Sequence, residues 1–123
     1  MAHVLIVEDA TDLREVWAEA LTQSGHTVET APDGVEAIKK LGTQSYDVVL
    51  FDLNLPRLSG LEAIKLIRRT DTDLPILAIT GGGDPTLSRA VITAGANDIF
   101  FKPITLDDLS EAIARYARQK PLH

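Results

Sequence analysis

The residues best suited to chemistry in this sequence are acidic, hydroxyl and basic side chains that each follow an apolar run. They are Glu8 and Asp9, Asp52, Thr80, and Lys102, which end four predicted strands. The run before Asp52, Val48–Phe51, is apolar at every position, which is typical of a strand buried on both faces of a parallel sheet. Open α/β sheets bind ligands where the carboxyl ends of their strands meet, so we expect these side chains to share one site.

Three carboxylates at one sheet edge, those of Glu8, Asp9 and Asp52, would repel one another unless a cation lay between them. Mg²⁺ is suited to this position because it takes oxygen ligands and often combines carboxylates with phosphate oxygens. The backbone carbonyl of Asn54 could complete the set. Taken alone, Glu8 and Asp9 could equally begin a loop and cap its helix; together with Asp52 they favour the metal site.

Asp52 would then be a phosphoryl acceptor. Since a carboxylate is a weak nucleophile, positioning and charge neutralisation must supply the catalysis. Lys102 offers a positive charge to a phosphoryl oxygen, and Thr80 offers a hydroxyl donor. Either residue alone is as expected of an ordinary surface or strand-end position, so the prediction depends on their joint occurrence. The run Gly81–Gly83 lacks a phosphate-binding loop motif and is interpreted as a loop that can rearrange.

The surrounding sequence alternates strand and helix five times. Strands are predicted at 3–8, 26–30, 46–52, 75–80 and 97–101. Capping residues predict helix starts at Asp33, at Asp84-Pro85 and at Thr105. Glycines predict helix ends at Gly25, Gly42 and Gly95. Five such units with short connections predict a doubly wound parallel sheet. No linker interrupts residues 1–123, and we expect one domain with no output domain after it.

Helical spacing predicts which helix faces are buried. The predicted stripes are Leu13, Val16, Trp17, Ala20 and Leu21 in the first helix, and Leu106, Leu109, Ala112, Ile113 and Tyr116 in the last. Trp17 is accordingly predicted to be a core residue.

Composition narrows the class of protein. The chain has 123 residues, 45% hydrophobic and 24% charged, with a net charge of −6. A nucleic-acid-binding surface would be basic, so no direct nucleic-acid partner is expected. The absence of cysteine excludes disulfides and thiolate chemistry, and no apolar stretch approaches the roughly 20 residues of a membrane span. We expect a cytoplasmic protein without a signal peptide.

These motifs together resemble the receiver domain of bacterial two-component response regulators, particularly stand-alone regulators of the chemotaxis type. The matching pieces are Glu8-Asp9, the pattern Asp52-Leu-Asn-Leu-Pro56 with Gly60, Thr80-Gly81, and Lys102-Pro103. The resemblance covers essentially the whole chain. It implies a flavodoxin-like fold in which a five-stranded parallel sheet of order 2-1-3-4-5 carries five helices.

The resemblance also implies roles for the site residues and partners. Asp52 would accept a phosphoryl group from a histidine kinase or phosphotransfer protein. Asp9, Asp52 and the Asn54 carbonyl would bind Mg²⁺, with Glu8 helping through water. Thr80 and Lys102 would hold the phosphoryl group, and the Lys102–Pro103 bond would be cis. Such a chain is a signalling switch with self-phosphorylation and self-dephosphorylation activity, not an enzyme with a separate substrate. Its fourth helix, fifth strand and fifth helix would change their binding to a separate target protein.

The sequence departs from the family pattern at one switch position. Family members carry an aromatic residue three positions before the lysine, but this chain has Ile99, with the aromatic residues at Phe100 and Phe101. Two alternatives follow: Phe101 takes part in the switch with Thr80, or the signal passes mainly through the glycine-rich loop and the fourth helix.

Two other functions agree less well with this sequence. A small-molecule phosphatase that forms an aspartyl-phosphate would need a second acid where this chain has Asn54, and a cap domain for which there is no room. A receiver-like interaction module that never takes up phosphate is disfavoured by the intact set of Glu8, Asp9, Asp52, Thr80 and Lys102. Homodimerisation through the fourth and fifth helices stays open.

Overall fold

Five strands and five helices alternate along the chain. The computed structural model describes residues 2–55, 58–82 and 84–117. The elements are β1 (His3–Val7), α1 (Thr11–Gln23), β2 (Thr27–Ala31), α2 (Gly34–Thr43), β3 (Val48–Asp52), α3 (Gly60–Thr70), β4 (Ile76–Thr80), α4 (Pro85–Ala94), β5 (Asp98–Phe101) and α5 (Leu106–Tyr116). The predictions that involve Pro56, Gly83 and Gln119–His123 fall outside the described residues. None of the helices in these ranges combines the length and the apolar character needed to cross a membrane.

All five strands are parallel and form one sheet in the order β2-β1-β3-β4-β5, which confirms the predicted fold. Every residue of the central strands β3 and β4 is buried, as their unbroken apolar runs predict. In the register of the sheet Asp52 lies beside Ile79, and Thr80 lies beside Phe101. The last residues of β3 and β4 therefore reach the same edge.

Two apolar layers cover the two faces of the sheet. One layer joins Leu5, Val49 and Phe51 to residues of α2, α3 and α4. The other joins Val4, Ile6, Val48 and Leu50 to Trp17 and Leu21 of α1 and to Leu109 and Ile113 of α5. Buried Trp17 confirms the core prediction.

Two residues of the predicted apolar stripes are exposed, so the prediction that they are buried was wrong. Val16 is 50% exposed and Leu106 is 44% exposed. Val16 immediately precedes buried Trp17, and one residue is about 100° of rotation around a helix, which turns Val16 off the face that contacts the sheet. Leu106 is the first residue of α5, at the end of the stripe.

The helix starts predicted from capping residues are confirmed. Asp33 accepts a hydrogen bond from the Glu36 N–H at 2.9 Å, and Asp84 accepts one from Thr86 at 2.9 Å. The Thr105 hydroxyl accepts one from the Asp108 N–H at 3.0 Å. These side chains satisfy N–H groups that have no partner inside the helix.

Two of the predicted glycine stops are confirmed and one was wrong. Gly25 and Gly95 follow α1 and α4 with φ of 97° and 126°, a backbone conformation that favours glycine. Gly42 instead lies inside α2, which continues to Thr43. The chain leaves this helix at Gln44, whose φ of −138° is extended, so Gly42 provides no left-handed stop.

We predict opposite effects on stability for alanine at Gly42 and at Gly95. A Cβ on Gly42 would meet no atom within 4 Å, so Gly42→Ala should raise the free energy of unfolding by about 0.5–1 kcal/mol by removing the glycine penalty in a helix. A Cβ on Gly95 would lie 2.7 Å from the Arg68 side chain. Because its φ is also positive, Gly95→Ala should lower stability by about 1–2 kcal/mol.

Urea unfolding followed by circular dichroism measures both changes, and each variant controls for the other. A Gly42→Ala chain less stable than the parent would contradict the helical environment described for this glycine.

Candidate functional site

The carboxyl edge of the sheet gathers acidic side chains from two neighbouring strands. Glu8 and Asp9 follow β1, and Asp52 is the last residue of β3. One carboxylate oxygen from each of the three lies within 4.8 Å of the others. Glu8 and Asp52 are buried and Asp9 is exposed, so the cluster has a buried floor and one open side.

Lys102 lies directly on this cluster. Its ammonium donates to Glu8 Oε1 at 2.7 Å and to Asp52 Oδ2 at 3.1 Å. Its backbone N–H donates to the Thr80 carbonyl at 2.8 Å, which anchors the loop after β5 to the end of β4. The Lys102–Pro103 peptide bond is cis. The predicted basic residue and two of the predicted acids are therefore in direct contact.

Burial and neighbouring charges set the protonation of the two buried acids in opposite directions. Burial raises the pKa of Glu8 to about 7; hydrogen bonding to Asp52 and its charge act in the same direction, and Lys102 opposes them. Burial would also raise the pKa of Asp52, but hydrogen bonds from Glu8, the Asn54 N–H and Lys102 outweigh it and hold the pKa below its usual value.

The Lys102 ammonium is stabilised in turn. Burial would lower the pKa of Lys102, but its hydrogen bonds to Glu8 and Asp52 and their charges outweigh burial and raise it. The site therefore keeps an ionised Asp52 beside a charged lysine at neutral pH, the state a carboxylate nucleophile requires.

Thr80 and Asn54 lie beside the cluster and are held by their own loops. The buried Thr80 hydroxyl accepts a hydrogen bond from the Gly82 N–H at 3.1 Å. Asn54 is exposed, and its N–H donates to Asp52 Oδ1 at 3.0 Å. Thus one oxygen of Asp52 is bound by its own loop and the other by Lys102.

The predicted switch residues occupy different environments. Ile99 is half-buried and packs against the apolar layer beneath α4. Phe101, paired with Thr80 in the sheet, is 53% exposed. Ile99 therefore belongs to the packing of β5, whereas Phe101 is an exposed aromatic ring on the strand next to the site.

Sequence reasoning missed two contacts that position the acids. Arg14 of α1 donates from Nη1 to the Glu8 carbonyl at 2.8 Å, fixing the loop after β1. Glu8 binds Lys102 directly, a contact that its predicted place in the metal site does not include. The sequence of α1 gives no local signal for the contact between Arg14 and Glu8. The contact between Glu8 and Lys102 joins residues 94 positions apart.

The donor set fits Mg²⁺. Hard divalent cations take oxygen ligands. Here three carboxylates from two strands converge, and one of them, that of Asp9, is exposed at the open side of the cluster. One lysine cannot neutralise three carboxylates, so the cluster keeps negative charge that a divalent cation would offset.

We predict that removing the charge of Glu8 stabilises the chain at alkaline pH when divalent cations are absent. A carboxyl pKa raised in the folded state favours folding fully below its unfolded pKa, and this contribution is lost as pH rises toward the folded value of about 7. At about pH 8, Glu8→Gln should therefore raise the free energy of unfolding by about 2 kcal/mol, with little effect at about pH 5.

Urea unfolding at the two pH values measures this difference, and Glu15→Gln, at an exposed position of α1, is the matched control. A variant less stable than the parent at about pH 8 would show that the Lys102 contact outweighs the burial of Glu8.

Comparisons with known proteins agree with this geometry. Residues 4–114 match the family model described as the response regulator receiver domain. The chain is 36% identical over 120 residues to the response regulator MprA of Mycobacterium ulcerans, covering 98% of this chain and 52% of the relative. It is 35% identical over 120 residues to the transcriptional regulatory protein TcrA of Mycobacterium tuberculosis, covering 98% of this chain and 47% of the relative. The chain thus spans about half the length of these two relatives.

A solved structure extends the similarity to the fold. The chemotaxis protein CheY4 of Vibrio cholerae aligns with a TM-score of 0.89 at 32% identity, covering 94% of this chain and 98% of that one. The sheet order, the acidic cluster, the lysine after β5 and the family match converge on one assignment. The chain belongs to the response regulator receiver domain family, whose members act in phosphorelay signalling.

Proposed function

We propose that this chain is a phosphorylation-operated switch in which Asp52 accepts a phosphoryl group from a phosphohistidine of a histidine kinase or phosphotransfer protein. The observation that carries the proposal is the contact of Lys102 with Asp52 and Glu8 at the carboxyl edge of the sheet. From this position the Lys102 ammonium can move from the Asp52 carboxylate to an oxygen of a phosphoryl group bound there.

The acceptor chemistry follows from the state of Asp52. Its pKa lies below the usual value, so the carboxylate carries the electron pair that attacks phosphorus. The bond from phosphorus to the donor nitrogen breaks as the new oxygen–phosphorus bond forms, and the electron pair leaves with the histidine ring. The product is an acyl phosphate, which water can hydrolyse back to the carboxylate.

Mg²⁺ would be held by Asp9, Asp52 and the Asn54 carbonyl, with Glu8 helping through water. When bound, it neutralises negative charge on the acceptor and on the phosphoryl oxygens. Exposed Asp9 lies at the open side of the cluster, and buried Glu8 keeps Lys102 beside the acceptor.

The change at Asp52 would reach the partner surface through Thr80. Thr80 pairs with Phe101 in the sheet, and its carbonyl receives the Lys102 N–H. If the Thr80 hydroxyl leaves the Gly82 N–H for a phosphoryl oxygen, β4 and the glycine-rich loop move with it. That movement would alter the surface of α4, β5 and α5.

Exposed apolar side chains support a binding role for this surface. Ile92 of α4, Phe101 of β5 and Leu106 of α5 are 47%, 53% and 44% exposed. Scattered exposed apolar residues are ordinary, but one on each of three adjacent elements suits a protein partner. We propose a separate target protein as that partner, and the cytoplasm as the place where a kinase and target would meet the chain.

A receiver-like interaction module is the second candidate, because Ile99 replaces the aromatic residue of the family pattern and packs into the core. Such a module would bind partners through the same surface without accepting phosphate.

Phosphorylation of Asp52 is directly testable. Incubation with Mg²⁺ and acetyl phosphate should add the mass of one phosphoryl group, measured by mass spectrometry of the intact chain. Asp52→Asn should abolish the gain because the amide is not a nucleophile for this reaction, and EDTA should abolish it by removing the cation.

A small phosphate donor can fail where a protein donor succeeds, so a phosphohistidine donor protein is the second arm. If neither donor adds mass to the parent chain, the switch proposal is wrong and the interaction module takes its place.

We predict that the residues bordering Asp52 set the lifetime of the acyl phosphate. A Cβ on Gly82 would lie 3.9 Å from Thr80 Oγ1, and Asn54 is exposed beside the acceptor. Asn54→Arg and Gly82→Glu should each change the dephosphorylation rate several-fold, because their side chains enter the path of the attacking water or change its charge.

Loss of phosphoryl mass over time measures the rate, with Gly42→Ala, on the far side of the fold, as the matched control. Decay rates in both variants equal to that of the parent would remove this assignment.

A further inference from the structure

A groove of about 420 Å³ lies between the ends of α2 and α3, at the sheet edge opposite the acidic cluster. Its lining comes from the last turns of these helices and from the loops that lead into β3 and β4. The acidic cluster follows β1 and β3, so the two sites lie at opposite ends of the strands. The volume falls within the range of about 300–1,000 Å³ of small-molecule sites.

The walls of the groove are mainly apolar. The apolar and aromatic lining residues are Ile38, Leu41, Tyr46, Leu66, Ile67 and Leu74. Tyr46 and Leu74 are fully buried and form part of the core, whereas Leu66 is 38% exposed at the opening. Gly42 leaves a gap in the α2 wall, because nothing lies within 4 Å of the position of a Cβ. A ligand that fits between these walls would have an apolar body.

Two charged residues line the groove, and they differ in their partners. Asp71 Oδ1 accepts the N–H groups of Asp73 and Leu74, both at 2.9 Å, which binds this carboxylate into its own loop. Arg69, in the last turn of α3, is exposed. Within the part of the chain that the structure describes, its side chain has no hydrogen-bond or ion-pair partner, whereas neighbouring Arg68 binds Gly95 and Asn97.

We propose that this groove binds a small organic acid, with the apolar body between α2 and α3 and the carboxylate on Arg69. A guanidinium matches a carboxylate with two parallel hydrogen bonds. Arg69 is the cation of the groove lining, and no carboxylate in the described part of the chain forms an ion pair with it. An apolar pocket with a small number of polar or charged groups is the usual composition of a small-molecule site. The proposal is independent of phosphorylation at Asp52.

The test compares 4-phenylbutyrate with its uncharged amide, 4-phenylbutanamide, by titration of the ¹⁵N-labelled full chain. The acid should give saturable shifts of backbone amides that line the groove, including those of Leu41, Tyr46 and Thr70. It should bind at least about tenfold more tightly than the amide, a difference of about 1.4 kcal/mol.

Two substitutions separate the two parts of the site. Arg69→Gln should reduce the affinity for the acid to that for the amide, whereas Arg89→Gln, the same change at an exposed position of α4, should leave the preference intact. Gly42→Phe should abolish binding of both compounds by filling the gap in the α2 wall.

Three results would overturn the proposal. Equal affinity for acid and amide would remove the role of Arg69. Shifts centred on Lys102 and Thr80 would place the anion at the acidic cluster instead. Groove shifts that depend on protein concentration, without ligand, would assign the groove to a second copy of the chain.

Discussion

The contact of the Lys102 ammonium with Glu8 and Asp52 is the interaction on which the site depends. Two buried carboxylates beside an exposed third would be costly in a medium that solvates charge poorly, and one ammonium offsets only part of that cost. The two buried acids differ in protonation, since the pKa of Glu8 is raised to about 7 whereas that of Asp52 is lowered and Asp52 stays ionised. This asymmetry supports the proposal that Asp52 is the reactive acid.

This arrangement requires a parallel sheet with both faces covered. Parallel strands all end at the same edge, so polar residues placed just beyond four apolar runs meet without any long loop. The buried strands β3 and β4 hold Asp52 and Thr80 in register with their neighbours. A site of this kind gains its geometry from the buried centre of the sheet.

The same sheet separates two surfaces with different chemistry. The carboxyl edge is acidic and is linked to exposed apolar side chains of α4, β5 and α5 through the pairing of Thr80 with Phe101. The opposite edge carries the apolar groove between α2 and α3, with Arg69 as its exposed cation. Helix α3 begins at Gly60, beyond the end of β3, and its last turn lines the groove. The acidic cluster and the groove therefore lie at opposite ends of the strands.

The sequence by itself determined the alternation of strands and helices, the order of the sheet through the family resemblance, and the residues that converge at the site. It also determined the helix starts at Asp33, Asp84 and Thr105, because a capping side chain acts on N–H groups two or three residues away. These features are local, or they repeat with the period of a helix or strand.

Only the tertiary structure decided which cation binds which carboxylate, that Gly42 continues a helix, and that Val16 is exposed. It also decided the groove, whose walls come from elements that are separate in the chain. The physical reason is that a contact between Glu8 and Lys102 depends on how five strands are ordered and how deeply their ends are buried. Local propensity within a few residues contains neither quantity.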